Sequence, residues 1–557
     1  MNAKHHAGRG EGPLKEKMEA GDRDSSRLNS ILAAVAFLTA VLLYGLTAAP
    51  GVLWQDSAMF QHRVYFNDLR GESGLPLAHP LYILLARGLA LALPFENFAF
   101  RVNLFSALCG ACAVAVAMRL LLNLTRSRTS AVVGTIALAV SHTFWTHSVI
   151  AEVYNLYALG LLIELYFVER FLDQRQFRWL AFALFANGLS ISNHLLALLH
   201  TPAYLTLILW SLRSRAIRVH HLAGAAGAFL LGVLPYGVLI AKDIADGGGV
   251  FETLKLAAVG PEERANKVLA LTFSPARQLV RTAQFFLMNF PTPLLMLGPI
   301  GLWQALRHPR TRQMAIFCGI VFAVDFVFAF RYPVPDQFVF FTPCYVLTAL
   351  GIGLGAEWLM RPLQRRTGTG DAVSVPPHQK NEMSASRRTG AAIVAASGVM
   401  MILGLLPIAV YAAAPTVFRS YDISIGAKRE IPYRDTLAYF IQPWKCGENS
   451  ARRFAEEALQ AAAPDGLLYA DTTIKNVLVY VRDIEGHHRG VTLTTGHDTF
   501  PRPPVIDRTP EAVEPFVRAG KAFICSDAPD YVPAWIRERW DIEPAGIIFK
   551  IVPRRGE

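Results

Sequence analysis

The sequence predicts a polytopic α-helical membrane protein with a small α/β domain at its C-terminal end, and three observations predict it. Hydrophobic residues make up 53% of the 557 and charged residues only 17%, too apolar and too long for one water-soluble core. Apolar stretches near ~20 residues, enough to cross a hydrocarbon layer of ~30 Å, recur as far as residue 411. Beyond it the pattern changes to short strand-like runs and an amphipathic helix.

Residues 1–28 are polar and mixed in charge, without the apolar core and small-residue cleavage site of a signal peptide, and read as a disordered cytoplasmic tail. About eleven spans follow by length and hydropathy: 29–48, 101–122, 131–149, 151–169, 179–192, 195–211, 222–241, 279–306, 314–330, 338–360 and 390–411. The stretch 80–94, "PLYILLARGLALALP", is shorter and carries Arg87, so it reads as a helix lying in the interface.

Basic residues set the orientation, because translocation biases them to the cytoplasm. Arg119, Arg126 and Arg128, then Arg170, Arg175 and Arg178, then Arg213, Arg215 and Arg218, then Arg307, Arg310 and Arg312 fall in alternate connections, and 361–389 adds six more Lys and Arg. The connections between them, 191–194 and the turn at His142, have none. The amino terminus is therefore expected inside, and 412–557 outside. The formal charge of +11 follows from these inner loops, and no nucleic-acid module accompanies it.

The outer segment reads as a small α/β domain. "SARRFAEEALQAA" is an amphipathic helix, "DGLLYADTTIKNVLVYVRDIEG" a strand followed by a helix or strand, and "KAFICSDAP" and "GIIFKIVP" are strands. It holds Cys446 and Cys525, for which a disulfide and two separate thiols are equally compatible with the sequence. The other four cysteines lie in apolar segments as small buried residues.

Ionisable and polar groups gather at the outer ends of the early helices: Asp56, His62 and Arg63, His79, Arg101 and Asn103, His142, Trp145 and His147, Glu152 and Tyr154, and His194. Such groups at a membrane edge are costly and mark function by default. A single Arg or His there can equally be a headgroup anchor, but a carboxylate at an apolar boundary anchors poorly. Asp56 and Glu152 are therefore expected to frame one cavity, one as base for an acceptor hydroxyl and the other orienting acceptor, metal or donor. Arg101, His79 and His194 would suit a phosphate leaving group. No cofactor is read from the residues, and a divalent metal is left open. "HH" at 220–221 lacks companion ligands, and "DGGGVF" lacks the context of a phosphate loop.

Four ordered blocks, "APGVLWQDSAMF", "AHPLYILLARGLALALPFENFAFRVNLFSALCGA", "SHTFWTHSVIAEVYNLYAL" and "GLSISNHLLALL", resemble the bacterial protein O-mannosyltransferase-like membrane family of the GT-C glycosyltransferase superfamily. A weaker similarity returns at "RYPVPDQFVFFTPCYVLTALGIGLG". The resemblance implies a GT-C-like bundle over 29–411 whose first outer loop, 49–100, carries an essential acid, matched here by Asp56. It also implies inverting transfer from a polyprenyl-phosphate sugar, and it matches Glu152, His79 and His194 to family positions; with Arg101, Asn103, Trp145 and Tyr154 of the same outer cluster, these are the residues expected around the substrates. Two departures stand out: "DSAMF" replaces the family's "DSGEF", and "HPLY" shortens its "HPPGYPLY".

The expected activity is thus transfer of a single sugar, with mannose as the specific guess, to an acceptor protein, glycan or lipid on the outer face of a bacterial cytoplasmic membrane. Ser or Thr of an exported protein is the acceptor favoured. A flippase or transporter would also need polar groups in a helical bundle, but commonly with internal repeats and groups near the midplane, whereas here they gather at one end. A catalytically inactive scaffold is the third reading, left open by "DSAMF".

Overall fold

The computed structural model describes residues 11–71, 74–125, 127–260, 274–332, 334–366, 381–423, 429–495 and 502–554. Among these, eight helices are long and apolar enough to cross a membrane: Ser25–Thr47, Leu75–Ala92, Phe98–Thr125, Leu195–Arg213, His221–Ala245, Arg312–Arg331, Gln337–Pro362 and Gly390–Ser420. The pair Pro275–Asn289 and Pro293–Arg307 makes nine if counted as one span, bent by 115°. This is an integral membrane protein.

The differences from eleven spans have identifiable causes. The expected span 131–149 is a helix over Arg128–Ala139 and a separate turn of helix over His142–Ser148. They part at Ser141, and Asn289 Oδ1 takes the freed Thr143 N–H at 2.9 Å. The helix Tyr154–Gln174 is long enough, but Glu164, Glu169, Arg170 and Asp173 lower its hydropathy. Phe177–Asn193 has 17 residues. Leu75–Ala92, expected in the interface from 80 onward, reaches spanning length because a 3-10 turn at Leu75–Leu77 precedes it.

Two boundaries also move. The first helix runs from Glu11 to Thr47, so the tail expected to be disordered is helical from Glu11, where Glu, Lys, Met and Ala are good helix formers. The last long helix, Asn381–Ser420, overruns the expected boundary at 411 despite Pro407 and Pro415.

Small residues let the bundle close. Gly188 and Gly232 meet where Phe177–Asn193 crosses His221–Ala245; a Cβ on either would lie 2.2–2.3 Å from the other helix's backbone oxygen. Arginine-rich connections collect at one end, where Arg310 Nη2 donates to Asn123 O at 3.0 Å and Arg175 Nη2 to Gln313 Oε1 at 2.8 Å.

The C-terminal domain is a six-stranded sheet in the order β3-β2-β1-β4-β6-β5. β1 (Leu467–Tyr469), β2 (Thr492–Thr494), β3 (Val505–Ile506) and β4 (Ala522–Ile524) run parallel, with Leu467 opposite both Thr492 and Ala522. β5 (Trp540–Ala545) and β6 (Ile548–Pro553) form an antiparallel hairpin on β4, turning at Gly546 with φ 74°. The helices Ser450–Ala462 and Thr472–Tyr480 cover it, Asp471 capping the second by accepting from Thr473 N at 3.0 Å. Cys446 is exposed, Cys525 is buried, and both are free thiols.

The two parts share a core. Val52, Trp54, Ala58 and Ala99 pack with Phe454, Ile474, Val477 and Leu478. Trp54 Nε1 donates to Ser450 Oγ at 2.9 Å, and Trp145 packs against Trp444 with ring centres 5.6 Å apart. The loop that follows the first helix is therefore held between bundle and sheet domain.

Candidate active site

The loop 48–55 is fixed before it reaches Asp56. Its first carbonyls would be orphaned under the domain, so buried amides take them: Asn103 Nδ2 donates to Ala49 O at 2.9 Å and to Gly51 O at 3.1 Å, while Gln61 Nε2 donates to Asn103 Oδ1 at 2.8 Å. Asp56 then opens the helix Asp56–Phe66. A helix N-terminus favours a negative charge there. Beside it, Ser57 Oγ accepts from Ala151 N at 3.2 Å, which joins the Asp56 turn to the segment carrying Glu152.

Glu152 lies between two helices, held by its backbone. Ser106 Oγ accepts from Glu152 N at 3.2 Å and donates to Glu152 O at 3.3 Å, with Tyr82 OH on Ser106 Oγ at 3.3 Å. Its side chain keeps some exposure, yet enough protein surrounds it that desolvation leads. Burial first, then the charges of Asp56 and Asp336, hold the Glu152 carboxyl well above the ordinary carboxylate range. Asp336, before the helix that begins at Thr342, joins the two from a distant part of the chain. Asp336 is exposed at the surface, yet the protein packed around it raises its carboxyl, against the opposing charge of Arg281. Arg281 Nη2 donates to Pro335 O at 3.1 Å and Val334 O at 3.3 Å.

A wall of rings continues from these acids. His79 and His194 lie 5.2 Å apart, His194 and Tyr154 5.3 Å, Tyr154 and His147 5.1 Å, and His147 stacks on Phe338 at 6.4 Å. His79 occupies the left-handed region with φ 49° just before Pro80, and its Nδ1 meets Asn193 O at 2.5 Å. A carbonyl only accepts, so Nδ1 carries the proton in His79. His194 has the opposite polarity: its Nδ1 accepts from Leu196 N at 3.1 Å, which leaves the proton on Nε2.

Three residues expected around the substrates are committed elsewhere. Asn103 is the buried clamp just described. Arg101 donates to Ala90 O and Glu96 O, both at 3.0 Å, capping the end of the preceding helix. Trp145 Nε1 donates to Thr47 Oγ1 at 3.0 Å. Of the companions, Arg63 is buried and donates to Leu77 O, Leu69 O, Asp68 O and Ala78 O, which folds the loop back to His79. His62 is buried as well; burial, then the charges of Arg502, Lys475, Arg482 and Arg63, push it down to about 3, so it is neutral.

Sequence reading passed over Asp336, the buried Lys475, and Asn476, which is 0% exposed and donates through Nδ2 to Gln55 O at 3.3 Å. The signal for Asp336 was an acid in "RYPVPDQ" ahead of an apolar run. For a metal, one group of His, Cys and carboxylate ligand atoms lies within 4.8 Å among the described residues: Glu456, Glu485 and His487. Arg452 pairs with both glutamates, which opposes a cation there, and Asp56, Glu152 and Asp336 offer no ready-made cage.

Residues 74–217 match the family described as the protein O-mannosyl-transferase TMEM260 N-terminal domain. Protein O-mannosyl-transferase TMEM260 of Mus musculus is 30% identical over 166 residues, 29% of this chain and 24% of that protein, so the match spans about a quarter of the relative's length. His79, Glu152, Tyr154 and His194 lie inside the matched residues, and Asp56 precedes them. Across nearly the whole chain the fold is that of ArnT from Cupriavidus metallidurans, solved bound to undecaprenyl phosphate. The TM-score is 0.52 at 15% identity, covering 94% of this chain and 97% of ArnT. The bundle with its C-terminal sheet domain thus has the fold expected from the sequence, the one seen in ArnT.

Proposed function

We propose that this protein is an inverting glycosyltransferase that moves one sugar from a polyprenyl-phosphate carrier to an acceptor hydroxyl on the outer face of a bacterial cytoplasmic membrane. The observation that carries this reading is the electrostatic meeting of Asp56, Glu152 and Asp336, brought from three separate segments, the first of them packed against the sheet domain. The fold shared with ArnT, whose crystal holds undecaprenyl phosphate, supports a lipid-phosphate carrier. The TMEM260-type match supports mannose as the sugar and a Ser or Thr hydroxyl of an exported protein as the acceptor. The arginine-rich end, by the positive-inside bias, faces the cytoplasm.

In this mechanism the acceptor oxygen attacks the anomeric carbon while the bond from that carbon to the phosphate oxygen breaks. The electron pair leaves on the polyprenyl phosphate, and the acceptor proton passes to the Asp56 carboxylate. Carboxyls that share a site divide their roles because they do not all ionise together. Glu152, the one held protonated, donates a hydrogen bond to acceptor or sugar, and Asp56 at its helix N-terminus takes the acceptor proton as the base. His194 Nε2–H and Arg281 are the donors at hand for the departing phosphate, and Tyr154 with the histidine wall gives the sugar a flat apolar surface.

One observation favours a second reading, a lipid or solute transporter. Inside the spans, Glu164 Oε2 accepts from Asn187 Nδ2 at 3.0 Å and Tyr204 OH at 3.1 Å and pairs with His200 Nδ1 at 3.0 Å; His200 Nε2 lies 3.8 Å from Asp325. Buried ionisable groups of this kind line transport paths. The readings separate in detergent, where no compartments exist. Cleavage of radiolabelled polyprenyl-phosphate mannose by the purified protein supports the transferase; movement of the intact lipid in vesicles without cleavage in detergent supports the transporter.

A further inference from the structure

The residue before Asp56 sits in a backbone conformation that its side chain does not explain. Gln55 has φ 59° and ψ −133°, the mirror image of ordinary extended backbone, which glycine adopts readily and other residues adopt under strain. Its side chain is exposed and makes no capping hydrogen bond. What holds the conformation is the C-terminal domain. Gln55 N donates to Thr473 O at 3.2 Å, and Asn476 Nδ2 donates to Gln55 O at 3.3 Å.

Both contacts come from Thr472–Tyr480, one side of whose N-terminus is set by Asp471, itself paired with Arg429 at 2.6 Å. The carbonyl that Asn476 grips belongs to the peptide group whose nitrogen is that of Asp56. On the near side of this peptide Trp54 is anchored on Ser450; on the far side Ser57 takes Ala151 N–H. Gln55 is the link between these anchors.

We propose that Asn476 is a positioning residue: by holding the Gln55–Asp56 peptide in its mirror-extended conformation, the C-terminal domain aims the Asp56 carboxylate at the acceptor. This rests on Asp56 being the base. With the grip removed, Gln55 relaxes toward negative φ and the carboxylate swings away. A displacement of about 1 Å costs on the order of 100-fold in rate.

The test uses the full-length protein in nanodiscs with polyprenyl-phosphate mannose as probe, reading kcat and KM together with amide exchange over residues 53–58. Asn476→Ala is expected to lower kcat by about 10- to 100-fold, leave the donor KM within about threefold, and speed exchange of the Gln55 amide. Gln55→Gly in the same chain is expected to restore most of the lost kcat, because glycine reaches the conformation without the grip. Gln55→Val, at an exposed side chain where misfolding is not expected, should lower kcat in an otherwise intact Asn476 protein, since a β-branched residue resists positive φ. An active wild type with unchanged kcat in Asn476→Ala, or no recovery with Gln55→Gly, overturns the proposal. If the wild type cleaves no donor, the reading of Asp56 as base fails instead. Amide exchange at Gln55 that is equal in wild type and Asn476→Ala then overturns the grip independently.

Discussion

Trp54→Ala should detach the C-terminal domain from the loop that carries Asp56 while leaving the bundle folded. Trp54 is 1% exposed, and a buried tryptophan withdraws ~150–250 Å² from water, worth ~4–6 kcal/mol at ~25 cal/mol per Å². Large-to-small truncations of this kind cost ~3–5 kcal/mol in practice. Its Nε1–H donates to Ser450 Oγ at 2.9 Å, and the Ser450 hydroxyl in turn donates to the Glu448 carboxylate, so the bond adds ~1 kcal/mol. A loss of ~4 kcal/mol lowers the ratio of docked to undocked domain by about 1,000-fold. Hydrogen exchange followed by mass spectrometry reads this directly. Peptides covering 53–62 and 472–480 should lose protection together, and those from Phe98–Thr125 and Gln337–Pro362 should not. Trp54→Phe keeps most of the apolar area and drops the hydrogen bond, so its loss should be about fivefold. Unchanged protection of both segments in Trp54→Ala would refute the reasoning, as would equal loss across the whole chain.

Three further outcomes are expected. Glu152→Gln should retain transfer within about tenfold, since an amide also donates a hydrogen bond, and should lose the fall in rate on the alkaline side that ionisation of Glu152 imposes on the wild type. Stability follows the same group: its native pKa lies above its unfolded value, so the folded state binds the extra proton and wild-type stability declines as pH rises from the ordinary carboxylate range to the raised native value. Glu152→Gln should flatten that slope in pH-dependent thermal melts. Gly188→Ala puts a methyl 2.3 Å from Phe229 O where the helices touch, and overpacking of ~1–3 kcal/mol should lower the melting temperature; a serial substitution at Gly237, with open space around it, should not.

The membrane class was legible because hydropathy and basic-loop alternation are local, additive signals. Where the count of spans changed, the cause was non-local: Asn289 caps a break at Thr143 that no window over 131–149 reveals, and four charges in Tyr154–Gln174 are tolerated where Glu164 finds partners on other helices. The strands of "DGLLYA", "KAFICS" and "GIIFKIVP" were readable from β-branched and aromatic runs between turns, and "SARRFAEEALQAA" from its helical period. "WDIEPA" escaped because its polar residues and Pro544 weaken any strand pattern, and pairing with β6 decides it.

The site shows the same division. An acid at an apolar boundary marks itself, so Asp56 and Glu152 stood out. Asn103, Arg101 and Trp145 looked equally suited to a ligand, because a side chain destined for a backbone carbonyl has the same chemistry as one destined for a substrate. Asp336 and Asn476 lie hundreds of residues from Asp56 in the chain, and only the fold brings their segments to it.

The central claim is that Asp56 removes the acceptor proton during sugar transfer from a polyprenyl phosphate. Its most direct test is transfer of radiolabelled mannose from that carrier to a pool of exported proteins and lipids, with wild type and Asp56→Asn compared side by side and the folding of the variant checked by melting temperature. Label is expected on protein hydroxyls with the wild type, and none above background with a fully folded Asp56→Asn protein. Equal transfer by the variant, or none by the wild type from any donor offered, would contradict it.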